Sequence, residues 1–308
     1  MAITAAMVKE LREMTSAGMM DCKKALDATD GDMDKAVEFL REKGLAAAEK
    51  KAGRIAAEGI CETIISEDGK SAAIVEVNSE TDFVSKNEKF RTYVTAVVKQ
   101  AIKTSTTDID VFLSEPWELE PTKTVKEELS SQISVIGENM SIRRFQKVVA
   151  ANGFVESYLH GGGRIGVLVE VESSVCNDSA KEAAKNIAMQ IAAISPKYVD
   201  RSEISEEYIA HEKEILKAQA MNEDTGKSES IIDKMIIGRL SKELKEICLL
   251  DQAYVKDGDL TVQKYLDNVS KEIGAKIAIK RFVRYETGEG LAKKEENFAD
   301  EVARQMGM

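Results

Sequence analysis

One unit is written twice in this chain, and that duplication constrains its fold more than any other feature. Residues Ala56–Ser79 align without a gap onto Ala150–Ser173 at an offset of 94, with Ala56, Ala57, Gly59, Glu62, Gly69, Val75, Glu76, Val77 and Ser79 all repeated. Unrelated segments seldom agree so often, so a supersecondary unit recurs. A second match carries Thr124–Phe145 onto Thr261–Phe282 at an offset of 137, repeating Thr124, Val125, Leu129, Ile136, Gly137, Ile142, Arg144 and Phe145. The growth of the offset assigns 43 further residues to the second copy, between about Ile194 and Thr261, enough for a helical hairpin.

The duplication breaks at one junction. Past Ser79 the first copy reads Thr81-Asp82-Phe83-Val84, where the gapless register sets Val175-Cys176-Asn177-Asp178. An acid and an aromatic therefore stand at a strand exit in one copy only. Two readings apply: Thr81 or Asp82 caps a following helix while Phe83 staples into the core, or Phe83 is exposed for a partner's pocket.

Local signals outline the elements. Thr4 precedes a helix over Ala5–Met14, a second covers Met19–Asp27, and Asp32 caps a third that Gly44 is expected to stop at Lys43. Leu45–Gly53 reads as an Ala- and Lys-rich helical connector. Strands at Ile60–Ser66 and Ala72–Asn78 flank the turn signal Asp68-Gly69, and Phe154–His160 and Ile165–Val171 flank Gly161-Gly162-Gly163. Helices are expected at Ser85–Ile102 and Ser179–Ile194, and third strands at Met140–Val149 and Lys276–Tyr285.

The inserted segment reads as two amphipathic helices, Ser202–Met221 and Ser228–Cys248, joined by a polar turn at Met221–Lys227. Their expected seams are Ile204, Tyr208, His211 and Ile215 on one, and Ile232, Met235, Ile236, Leu240, Leu244 and Ile247 on the other. Whether this hairpin lies on its own core or pairs with a second copy in a homodimer is left open. A last amphipathic helix is expected over Glu295–Met306. The fold class is α+β: an N-terminal three-helix bundle, a duplicated core of two three-stranded antiparallel modules, a helical-hairpin insertion in the second module, and a C-terminal helix. The expected divisions are 1–54, 55–150, 151–285 with the insertion at about 198–252, and 286–308.

A net charge of -11 argues against a broad nucleic-acid face, which needs clustered Lys and Arg. Four cysteines without a C-x-x-C pair and two distant histidines point to a reducing compartment with no zinc site and no cofactor. No apolar run reaches the ~20 residues that cross a bilayer, and no secretory signal opens the chain, so a cytoplasmic protein is expected. His160-Gly161-Gly162-Gly163-Arg164 resembles the oxyanion loop of lipases, yet no G-x-S-x-G supplies a nucleophile and no G-x-x-x-x-G-K-[ST] a phosphate cradle. It reads as a flexible turn with His160 as a surface contact, and no enzyme is expected. Met19 and Met20 open a helix beside Arg12 and Lys23. Adjacent residues point about 100° apart on a helix, so one of the two methionines is expected to be partly exposed.

Val8-Lys9-Glu10-Leu11-Arg12 through Met19-Met20-Asp21-Cys22-Lys23-Lys24-Ala25-Leu26, then Val77-Asn78 leading into Thr81-Asp82-Phe83-Val84, then His160–Glu170, closely resemble the signatures of the elongation factor Ts family. The likeness spans nearly the whole chain. Departures fall at Thr15-Ser16-Ala17-Gly18, where that family usually has glycine after threonine, and at Ala253-Tyr254, where it usually has proline and phenylalanine. The resemblance implies a ubiquitin-associated-like N-terminal bundle and a guanine-nucleotide exchange role on elongation factor Tu, with no nucleotide bound by this chain itself. It further implies that Arg12, Met19, Met20 and Lys23 meet the partner's nucleotide domain, that His160 and Gly161 meet its distal domain, and that Val255 adds a contact. Thr81, Asp82, Phe83 and Val84 then form a wedge that disturbs the partner's Mg²⁺ and phosphate site. The alternative is a chaperone-like or scaffold adaptor that binds partners through the N-terminal bundle.

Overall fold

The computed structural model describes residues 3–15, 17–222 and 229–292. The helix expected at Glu295–Met306 and most of the turn expected at Met221–Lys227 lie outside the described residues. The protein is a mixed helix and antiparallel-sheet, α+β, chain.

Helices α1 (Ala5–Thr15), α2 (Met19–Ala28) and α3 (Met33–Lys51) open the chain. Asp32 caps α3 by accepting from Lys35 N at 3.1 Å. Leu11, Cys22, Ala25, Leu26 and Ala36 close a small core with no solvent exposure. Gly44 does not stop α3, contrary to expectation. The helix runs on to Lys51 and absorbs the connector, with Gly44 buried inside it: its backbone is not left-handed, and a Cβ there would meet ordinary neighbours, 3.9 Å from Ser130 O and 4.0 Å from Ser134 Cβ of a later helix. A glycine is tolerated within a helix when no turn requires it.

The first copy then folds as β1 (Glu58–Ile65), β2 (Ser71–Ser79), α4 (Asp82–Ser85), α5 (Glu88–Ala101), α6 (Ile109–Ser114), β3 (Pro116–Trp117), β4 (Glu120–Thr124), α7 (Val125–Ile136) and β5 (Met140–Val149). The second gives β6 (Gly153–His160), β7 (Ile165–Ser173), α8 (Asp178–Ile194), α9 (Glu206–Asn222), α10 (Glu229–Ile247), β8 (Ala253–Tyr254), β9 (Asp257–Thr261), α11 (Val262–Ile273) and β10 (Ile277–Glu286). Each copy holds a three-stranded antiparallel sheet, ordered β1-β2-β5 and β10-β7-β6, plus one small hairpin, β3-β4 or β8-β9.

The two sheets stack face to face. From β2, Ala73, Val75 and Val77 pack under α5 with Phe90, Val94 and Val97. Ala72 and Ile74 point the other way and meet Val155, Leu168, Val283 and Tyr285 of the second sheet. The layers therefore run helix, sheet, sheet, helix. A strand covered on both faces reads as a continuous apolar run, and β2 is buried from Ala72 to Ser79.

Structural equivalence corrects the register beyond the strands. Buried Phe90, Tyr93, Val94 and Val97 of α5 correspond to Ala180, Ala183, Ala184 and Ile187 of α8, an offset of 90. The offset falls from 94 to 90 because the first copy holds four extra residues, the turn α4. It then climbs to 137, so the insertion is 47 residues and not 43. The helix expected at Ser85–Ile102 is accordingly two, α4 capped by Thr81 and α5 capped by Asn87.

Gly59 and Gly153 show why glycine recurs. Both have left-handed backbones, φ 127° and 128°, and a Cβ would fall 2.1 Å from Val77 O or 2.0 Å from Val171 O. In the inserted hairpin, Leu216 packs with Ile236, Leu240 and Leu244. His211 and Ile215, expected in that seam, face outward. The stripe follows Ile209, Leu216 and Ala220, the seven-then-four step of a narrow helix pair.

Candidate partner-binding surface

The departing junction folds into one helical turn. Thr81 Oγ1 accepts from Val84 N at 3.4 Å, which caps α4, and Ser85 Oγ donates to Asp82 O at 2.7 Å. Val84 is the apolar residue that tucks in, at 8% exposure, whereas Phe83 stands out at 80%. Of the two readings of this junction, the cap holds and the core staple does not. Asp82 accepts from Lys86 Nζ at 2.6 Å, and this bond chiefly holds its carboxyl below the ordinary carboxylate range. Asp82 is thus an ionised carboxylate beside an exposed ring, paired with Lys86.

Arg12, Met19, Met20 and Lys23 line one surface hollow together with Ile3 and Val8. Both methionines are exposed, at 59% and 64%, where one was expected. They open α2 ahead of its first buried residue, Cys22, so neither reaches the bundle core.

His160 ends β6 on the surface, its Nδ1 3.0 Å from the Tyr158 hydroxyl. The glycine turn after it is not the flexible loop expected. Gly163 O accepts from Cys61 N at 2.7 Å and from Thr287 Oγ1 at 3.3 Å, and Gly162 O accepts from Arg91 at 2.6 Å. Backbone carbonyls exposed by a tight turn are taken up by Cys61 and Arg91 of the first copy and by Thr287 after β10, which fixes the turn. Asp82, Lys86 and Arg91 share a hollow with Gly161 and Gly162, so the α4 turn and the glycine turn adjoin. Val255, half exposed between β8 and β9 with its N–H on Gln190 Oε1 at 2.8 Å, lines neither hollow.

Sequence reading missed the groups behind α4. Glu138 accepts from both Thr81 N (3.0 Å) and Thr81 Oγ1 (2.7 Å), and Glu80 accepts from Asn139 N (2.5 Å). The signal was available, since the 137 offset sets Ala275 opposite Glu138. Among the described residues, no three His, Cys, Asp or Glu side chains gather as metal ligands, and no helix is long and apolar enough to cross a membrane.

Comparison with known proteins matches residues 80–289 to the family model described as elongation factor TS. Elongation factor Ts of Clostridium botulinum (strain Eklund 17B / Type B) is 55% identical over 305 residues, covering 99% of each chain. That of Clostridium novyi (strain NT) is 55% identical over 304 residues with the same coverage, and that of Clostridium perfringens (strain SM101 / Type A) 54% over 305. The class these matches define is that of translation elongation factors, which serve protein biosynthesis. Within it, the chain belongs to the elongation factor Ts family.

Proposed function

We propose that this elongation factor binds elongation factor Tu and promotes release of its GDP, acting by binding and not as a catalyst of bond changes, in the cytoplasm. The observation that carries the reading is the 80% exposure of Phe83 on a capped turn that only one copy possesses. Inserting that ring into a pocket contributes ~2 to 3 kcal/mol of apolar burial. Asp82 arrives with it, and a unit charge ~4 Å from a phosphate at an effective dielectric of ~20 opposes binding by at most ~4 kcal/mol. Coupling is reciprocal, so a factor that weakens GDP is itself weakened by GDP, and exchange runs by mass action.

The same proposal assigns the remaining surfaces. The bundle of residues 1–54, ubiquitin-associated-like, meets the nucleotide domain through Arg12, Met19, Met20 and Lys23. Modules 55–150 and 151–285 form the rigid core, the latter offering His160 and Gly161 to the distal domain and Val255 beside its insertion at about 198–252.

Stopped-flow release of a fluorescent GDP analogue from elongation factor Tu tests the reading. Phe83→Ala should slow release at least about tenfold while the melting temperature stays put, because an exposed side chain holds little of the fold. Unchanged release by this variant rejects Phe83 as the wedge, and no acceleration by the unaltered protein at micromolar concentration rejects exchange altogether.

A further inference from the structure

We propose that Glu138 is a positioning residue that presets the Asp82–Phe83 turn before any partner arrives, an inference that rests on the exchange reading of that turn. A helix of four residues does not hold itself in place, since its first hydrogen bond must repay the ordering of the whole turn. Val84, buried at 8% exposure, pins the turn to the core at one point, whereas Phe83, 80% exposed, adds no second anchor. Something outside α4 must therefore define where the ring points.

Glu138 supplies that constraint. Gly137, left-handed at φ 92°, ends α7 and turns the chain toward the exit of β2. The Glu138 carboxylate then grips one residue twice, through Thr81 N at 3.0 Å and Thr81 Oγ1 at 2.7 Å. A bidentate hold by a charged acceptor fixes both the backbone position and the χ1 of Thr81. With its proton given to Glu138, the hydroxyl oxygen turns its lone pair toward Val84 N at 3.4 Å, so the cap of α4 is aimed by Glu138.

The neighbouring residues tie the same two segments in the opposite sense. Glu80 accepts from Asn139 N at 2.5 Å and from Arg54 at 3.5 Å, and Asn139 Nδ2 donates to Arg54 O at 2.7 Å. Residues 80–81 and 138–139 thus brace one another from both sides.

The duplication acts as an internal control. At the equivalent positions the second copy has Ser174 and Val175 facing Ala275 and Lys276, with no acid and no capping hydroxyl. That copy passes from β7 into α8 without an α4 turn and without the brace. The sheet and covering helix of the module therefore form without it, and brace, turn and exposed aromatic occur together in one copy. Presetting the turn removes an ordering cost that binding would otherwise carry.

Two measurements on the full chain test this. In the free protein, Glu138→Gln should raise amide hydrogen exchange at residues 81–85 by about tenfold or more, while β2 and β5 keep their protection. In stopped-flow release of a fluorescent GDP analogue from elongation factor Tu, the same variant should lower the maximal rate about tenfold, the scale on which misplaced groups act. Thr81→Val, which removes the hydroxyl that both donates to Glu138 and caps α4, should be at least as severe in both measurements, and the double variant should be no slower than Thr81→Val alone. Retained protection at 81–85, or loss of protection that spreads to β2 and β5, overturns the inference. So does normal release by Glu138→Gln when Phe83→Ala is slow. If Phe83→Ala itself releases GDP normally, the exchange reading is what fails.

Discussion

Glu76 Oε2 accepts from Arg144 Nε at 2.5 Å, and the pair recurs in the second copy as Glu170 and Arg281 at 2.6 Å. Both arginines follow a β-bulge, between the partners of Glu76 and Val77 in one sheet and between Ile279 and Arg281 in the other. A bulge aims an extra side chain off the regular pleat. In the first copy this delivers Arg143 as well, 3.1 Å from Glu76 Oε1.

The two repeats of this pair differ in burial. Glu76 has no solvent exposure and also accepts from Asn78 Nδ2 (3.1 Å) and Gly288 N (2.8 Å), while Arg144 stacks 4.1 Å over the Tyr285 ring. Glu170 keeps 12% side-chain exposure and holds the half-exposed Arg281. Removing one member of a buried ion network strands its partners, so Glu76→Ala is expected to cost about 3 kcal/mol in urea unfolding. Glu170→Ala is expected to cost about 1 kcal/mol. Equal losses would show that burial does not set the difference.

Three glycines separate conformational need from packing convenience. Gly59→Ala and Gly153→Ala each drive a Cβ into a cross-strand carbonyl at 2.1 or 2.0 Å from a left-handed backbone. Each should destabilise by about 3 kcal/mol. Gly44→Ala runs the other way: its Cβ meets ordinary van der Waals neighbours, and alanine relieves the entropy that glycine costs inside a helix. A gain of about 1 kcal/mol is expected, read as a higher denaturant midpoint.

Acid sensitivity is expected at the start of α7. Thr124 and Glu127 form a capping box, Glu127 Oε2 accepting from Thr124 N at 2.7 Å, and Arg41 bridges from α3 to Oε1 at 3.2 Å. The bond from Thr124 N chiefly holds this carboxyl below its ordinary range. A carboxyl depressed in the folded state takes its proton more readily in the unfolded state. Its contribution is therefore complete above the ordinary carboxylate range and fades as pH falls through the lowered folded value. Glu127→Gln should be less stable than the unaltered protein at neutral pH, and the gap in urea unfolding should close on acidification. A gap that widens in acid would contradict the assignment.

The strands and the duplication were legible because their signals are local: period-two alternation, a turn glycine, and residues repeated at a fixed spacing. Stacking of the sheets was not read, since Ala72 and Ile74 show apolar character without saying whether a helix or another sheet covers them. Gly44 shows a related limit, because a glycine that ends a helix and one that sits inside it are the same residue in sequence. At the candidate surface, the pair Asp82-Phe83 was visible through a broken repeat, though not its exposure, and the methionines of α2 through their adjacency at the start of a helix. The four-residue length of α4 was hidden by a gapless register that ran on past Ser79. Glu138 was hidden by distance, 57 residues from the threonine it holds.

The docked glycine turn has a mechanical consequence. With Gly162 fastened to Arg91 on α5 and Gly163 to Cys61 on β1, the span from the Phe83 ring to the His160 imidazole is that of a calliper with a locked hinge. On the proposed reading, a protein that touches both jaws at once meets a gap these bonds have set in advance, and the bending their meeting requires falls to that protein.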